Sequence, residues 1–109
     1  MTMTVVTTRN PSGRVTGFLS SCMNEIAPGV FTAPNMTVAV RERVWRVLES
    51  WRDSGTADMA VLMTWSDVSA AGGQAIRVIG FPRVRLVEYE QFVLTWRALP
   101  GGPAPHTVP

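Results

Sequence analysis

Apolar residues change their spacing several times along the chain, and each change marks an element. From residue 2 to 8, Met3, Val5 and Val6 sit among threonines. β-branched residues favour pleated backbone, and two adjacent apolar residues suit a strand covered on both faces. We read a first strand here, central in its sheet. Asn10, Pro11, Ser12 and Gly13 form a turn, with Ser12 placed to cap a helix. Val15, Phe18, Leu19, Cys22 and Ile26 then recur at spacings of three and four, which makes one apolar helix face. Ala27, Pro28 and Gly29 end that helix. Residues 29–33 form a short strand which, taken with Ile26, makes a bent hairpin around Pro28 and Gly29.

The second helix begins at the N-cap Thr37. Val40, Val44, Val47, Leu48 and Trp51 share a face flanked by Trp45, and Arg41, Glu42, Arg43, Arg46 and Glu49 lie largely opposite. Gly55 closes it. Residues 57–65 are a strongly apolar strand, 66–73 a loop of small residues, and 74–80 a further strand. In that strand Ile76 and Val78 face one way and Arg77 the other. A basic, then acidic connection from Phe81 to Glu90 leads to a last strand, 92–98.

This order of elements predicts an α+β fold, a ferredoxin-like sandwich with two helices on one face of an antiparallel sheet and an extra C-terminal strand. Two helices leave the other sheet face bare, yet 57–65 is apolar on both sides. A second copy of the chain is the simplest cover, so a homodimer is expected.

The chain has 109 residues, 46% hydrophobic and 17% charged. That balance excludes intrinsic disorder and fits one domain, 1–99. A Pro/Gly-rich tail, 100–109, is expected to be disordered. No run of about 18 apolar residues occurs, so no membrane-spanning helix is expected. The N-terminal stretch lacks the basic region of a signal peptide. A single cysteine excludes an internal disulfide and suggests a reducing, cytoplasmic setting.

Catalytic patterns are scarce. The one histidine, His106, lies in the tail, so no Ser-His-Asp or Cys-His arrangement fits the folded body. Zinc needs more Cys and His ligands than the chain has. Neither a phosphate-binding glycine loop nor an RNA-recognition signature occurs. Cys22, on the apolar helix face, reads as a small buried hydrophobe. Asp67, Glu88 and Glu90 are the acids that a magnesium-dependent nuclease would have to recruit. Their plainer reading is solvated or ion-paired surface.

The charge pattern points elsewhere. Net charge is +2, and all 10 basic residues are arginine. Arginine suits bidentate phosphate contacts. Arg9 and Arg14 flank the turn after the first strand, and Arg83 and Arg85 lie in the loop after Gly80. Loop arginines of this kind suit phosphate contacts, against a plain reading as surface charge.

The opening MTVVTTRNPSGR, the segment Glu25–Phe31, Val40–Trp45, Trp65, Gly73–Gly80 and Val87–Phe92 together resemble CRISPR-associated protein 2 of the type I-E branch. The Ala27–Phe31 turn followed by Arg41-Glu42 with Trp45, then Gly73 to Gly80, carries the resemblance in combination. It implies a homodimeric scaffold that bridges two dimers of the integrase, CRISPR-associated protein 1. It also implies that double-stranded DNA lies across the scaffold, held through its phosphates. Arg14 matches the family's DNA-contacting position after the first strand, and Arg83, with Arg85 beside it, the position after the fourth. Thr16 stands where a further basic residue would lie. Many relatives carry an acid at the end of the first strand, tied to metal-dependent nuclease activity, and this chain has Arg9. A cation there repels magnesium and instead offers a phosphate contact. The expectation is therefore a non-catalytic DNA-binding adaptor with no cofactor. Its rivals are a metal-dependent endoribonuclease of the same family, for which magnesium would be the cofactor, and a small-molecule regulatory module.

Overall fold

The computed structural model describes residues 2–52, 58–81, 85–89 and 92–96. In chain order the elements are β1 (Thr2–Arg9), α1 (Gly13–Cys22), β2 (Asn24–Ala27), β3 (Val30–Met36), α2 (Val38–Arg52), β4 (Ala60–Ser66), β5 (Gln74–Ile79), β6 (Arg85–Tyr89) and β7 (Phe92–Trp96). Five strands form one antiparallel sheet in the order β2-β3-β1-β4-β5, and β6 pairs with β7 in a separate hairpin. The α+β, ferredoxin-like reading holds, with β1 central as its sequence implied. Among the described residues no helix is long and apolar enough to cross a membrane.

Register fixes which side chains share a face. Val6 lies opposite Phe31 on β3 and Met63 on β4, and Val61 lies opposite Ile79 on β5. These residues are buried and pack against Val15 and Leu19 of α1 and Val44, Trp45 and Leu48 of α2. Burying one such side chain contributes roughly 1.5–3 kcal/mol, so this layer dominates the fold's stability. The opposite face carries Val5, Val30 and Leu62, half-buried, with Ile76 and Val78 at 39% and 38% exposure.

Both caps act as their sequences suggest. The Ser12 hydroxyl accepts a hydrogen bond from the Val15 amide at 3.3 Å, and the Thr37 hydroxyl accepts one from the Val40 amide at 3.3 Å. Phe18 meets Trp51 edge to face, centroids 5.4 Å apart, which ties α1 to the end of α2.

Several expectations change. The first helix does not reach Ile26, because Met23 is already extended (φ −139°, ψ 165°) and Asn24–Ala27 pairs with β3. Ile26 is 65% exposed on that edge strand. The bent hairpin around Pro28 and Gly29 is the reading that survives. Cys22 is exposed rather than buried: it is the last residue of α1, and its thiol donates back to the Phe18 and Leu19 carbonyls of its own helix. Burial of part of its surroundings still pushes the thiol above its ordinary value of 9.0.

The buried stripe of α2 is Arg41, Val44, Trp45 and Leu48, one position round from the expected face. Arg41 is thus inside, its guanidinium 4.1 Å from the centre of the Trp65 ring. The alternation along β5 is as expected, but Arg77 takes the helix side and Ile76 and Val78 the open side. Arg77 grips the Glu42 carboxylate through both terminal nitrogens, the Nη2–Oε1 bond measuring 2.8 Å, and so clamps α2 to β5. Residues 85–89, read as a connection, form β6. The expected helix stop at Gly55 and the tail 100–109 lie outside the described residues.

Candidate nucleic-acid interface

Antiparallel pairing sends β1 and β5 the same way, so the end of β1, the start of α1, the end of α2, the start of β4 and the end of β5 share one end of the molecule. Arg9 closes β1 there and is exposed. Its guanidinium lies 5.1 Å from the centre of the Phe81 ring, just past β5. Arg14 is exposed on the first turn of α1, with its guanidinium 4.5 Å from the centre of the Trp51 ring. Arg52 ends α2 at the same end.

Both arginines rest on an aromatic ring, and among the described residues neither is paired with a carboxylate. Ring contact engages the flat face of a guanidinium and leaves its N–H edge for an acceptor. A ring support also restricts a long side chain, which lowers the entropy lost when it binds. The N-terminus of α1 adds the positive end of a helix dipole, with no acidic residue in its first turn to oppose it. Nearby, the Glu25 carboxylate is engaged by the Gly29 amide at 3.1 Å. The arrangement is a cationic end suited to oxyanions.

Of the four arginines singled out from the sequence, the structure places Arg9 and Arg14 at the same end of the molecule, each against its own ring. Arg14 belongs to a helix and not to the loop. Arg85 opens β6 and is likewise not in a loop, because the hairpin with β7 starts there. Arg83 lies outside the described residues. The supporting rings of Trp51 and Phe81 escaped the sequence reading. Trp51 packs against the core as its helix face implies, but its second role under Arg14 has no local signal, and nothing local in the sequence links residue 9 to residue 81.

The acids show a different picture. Asp67 follows β4 at the opposite end, half-buried, and accepts hydrogen bonds from the Ser69 hydroxyl at 2.6 Å and the Ser69 amide at 2.9 Å. These bonds hold its carboxyl below the ordinary value of 3.8. Glu88 lies in β6, and Glu90 is outside the described residues. Among the described residues no three His, Cys, Asp or Glu side chains converge on one point.

Compared with known protein families, residues 3–94 match the family described as CRISPR-associated protein (Cas_Cas2CT1978). No curated protein matches the chain.

Proposed function

Because the chain belongs to this CRISPR-associated, Cas2-like family, we propose that it is a non-catalytic DNA-binding scaffold of spacer acquisition, of the type I-E kind. In this reading it acts as a homodimer that bridges dimers of the CRISPR-associated protein 1 integrase. Duplex DNA is held through its phosphates by Arg9, Arg14, Arg83 and Arg85.

The observation that carries the reading is two ring-supported arginines at one end of the molecule, Arg9 at the end of β1 and Arg14 in the first turn of α1. Among the described residues neither arginine has an acidic partner to neutralise it, which supports their availability to an anion. Arg9 also stands where the family resemblance places a metal-binding acid, which favours a phosphate contact over metal chemistry. The apolar helix-free face, with Val5 and Leu62 half-buried and Ile76 and Val78 exposed, supports pairing with a second copy.

The test is duplex binding by the scaffold–integrase complex against salt concentration. Each phosphate contact contributes a slope of roughly −0.9. Arg14→Ala removes two contacts from a dimer and should flatten the slope by nearly 2 units, and Arg9→Ala should do the same. Affinity should be independent of sequence. Unchanged slopes in both variants would overturn the assignment. Magnesium-dependent cleavage of RNA or DNA that is lost in Asp67→Asn or Glu88→Gln would favour the nuclease instead.

A further inference from the structure

We propose that the cavity between the start of β1, the start of α2 and the loop after β4 receives an acidic side chain from a protein partner, seating its carboxylate against Arg41 and Trp65. This cavity of about 340 Å³ lies at the end of the sheet opposite Arg9 and Arg14. The proposal does not depend on the DNA-holding reading.

The argument begins with unmet hydrogen bonds. Among the described residues, four buried side-chain polar atoms lack a partner: Thr2 Oγ1, Thr4 Oγ1, Arg41 Nε and Trp65 Nε1. Three of the four belong to residues lining this cavity. A buried donor left without an acceptor is costly, and native structures rarely keep several in one place without a reason. Arg41 Nε and Trp65 Nε1 can only donate, so what they lack is an acceptor.

Charge narrows the choice. Arg41 is only 7% exposed. The same Trp65 ring also carries Arg77, 5.0 Å from its centre, but Glu42 answers Arg77. A buried cation is best answered by a hydrogen-bonded anion. Val38 is the first residue of α2, so the positive end of that helix also faces the cavity, with no acid in its first turn. Asp67 lines the mouth and acts on Arg41 through its charge, as Glu42 does, but its carboxylate is hydrogen-bonded to Ser69 in its own loop and leaves Arg41 Nε without an acceptor.

The rim selects the carrier of the anion. Val38 is 62% and Val68 100% exposed, and both line the cavity. An acidic residue flanked by apolar ones on a protein would cover these valines, whereas a sugar-phosphate chain offers them nothing apolar. The volume lies at the low end of the roughly 300–1,000 Å³ of ligand sites, which suits a single inserted side chain.

The test uses the full-length ¹⁵N-labelled protein, with the Trp65 indole N–H signal assigned through Trp65→Phe. Three probes are titrated: acetyl-Leu-Glu-Leu-amide, acetyl-Leu-Gln-Leu-amide and inorganic phosphate. The Glu peptide should shift the Trp65 indole signal saturably, with a Kd at or below about 1 mM. The Gln peptide should bind at least about tenfold more weakly. Arg41→Met, which keeps an apolar stem in place, should abolish the shift while the remaining amide spectrum stays dispersed. If that variant does not fold, the Glu-to-Gln comparison on the unaltered protein decides. Equal shifts from the two peptides, or no shift from either, would overturn the proposal. Phosphate saturating the signal below the peptide's concentration would overturn it in favour of a nucleic-acid phosphate.

Discussion

A methyl group added at Gly80 should destabilise the protein far more than the same group added elsewhere. Gly80 follows β5 with φ +78°, in the left-handed region. A Cβ there would lie 2.4 Å from the carbonyl oxygen of Met59 and 3.2 Å from Cα of Ala60. Both obstacles are backbone, in residues 6% and 0% exposed, so neither can swing aside. The left-handed conformation costs a residue with a Cβ about 1–2 kcal/mol. Displacing packed backbone adds about 1–3 kcal/mol. Gly80→Ala should therefore lose about 2–5 kcal/mol, or a Tm fall of at least about 8 °C at roughly 4–8 °C per kcal/mol. Gly73 isolates the first contribution, since it has φ +75° but nothing within 4 Å of a Cβ. Gly73→Ala should cost only about 1–2 kcal/mol. Gly17, inside α1 with open space around it, should respond with the opposite sign. Gly17→Ala should gain about 0.5–1 kcal/mol from helix propensity alone. Thermal and urea unfolding followed by circular dichroism gives all three values. Should Gly80→Ala lose no more than Gly73→Ala, the steric argument fails.

Three further outcomes are expected. The Glu42–Arg77 clamp is partly exposed, at 39% and 33%, so Glu42→Gln should cost only about 0.2–1 kcal/mol in urea unfolding at pH 7. The hydrogen bond from Arg77 holds the Glu42 carboxyl below its ordinary 4.5, so that stabilisation is fully present above 4.5 and is lost as pH falls through the lowered folded-state value; the difference between the two proteins should shrink steadily as pH is taken below 4.5. Leu48 is fully buried against the sheet, and Leu48→Ala should lose about 2–5 kcal/mol by the same measurement. Sedimentation at micromolar concentration should give twice the 11.9 kDa chain mass, and Val78→Arg on the helix-free face should return a folded monomer; a wild-type monomer would refute the pairing.

The elements were legible wherever spacing and punctuation agreed. Val5 and Val6 announced a strand, and Ser12 and Thr37 announced helix starts that the structure confirms through their caps. The first helix was overextended because Ile26 happens to keep the three-and-four spacing, while the pairing that makes Asn24–Ala27 a strand comes from β3. Arg41 reads as part of the charged face it shares with Glu42, Arg43, Arg46 and Glu49; the ring that draws it inside is 65 − 41 = 24 residues away. Arg77 faced inward for the same kind of reason, its partner Glu42 lying on a helix that the β5 sequence cannot see. In the candidate interface, Arg9 and Arg14 stood out by position, but their supporting rings come from α2 and from beyond β5. Local pattern specifies which stretches are helix or strand. Side-chain partners depend on which distant segments the topology brings together.

The middle strand of the sheet is also the first to be synthesised. Thr4 pairs with Ala33 on one side and with Trp65 on the other, separations of 33 − 4 = 29 and 65 − 4 = 61 residues. Closing such long loops precedes any reward from the contacts they make, which slows folding. On a ribosome adding about 5–20 residues per second, roughly 3–12 s separate Thr4 from Trp65. Throughout that interval β1 has a vacant hydrogen-bonding edge where β4 will lie, flanked by Val5 and Val6. The nascent chain thus passes through a stage at which its own centre is an unprotected edge, and the speed of translation, as much as the strength of the finished core, sets how long another chain has to pair with it.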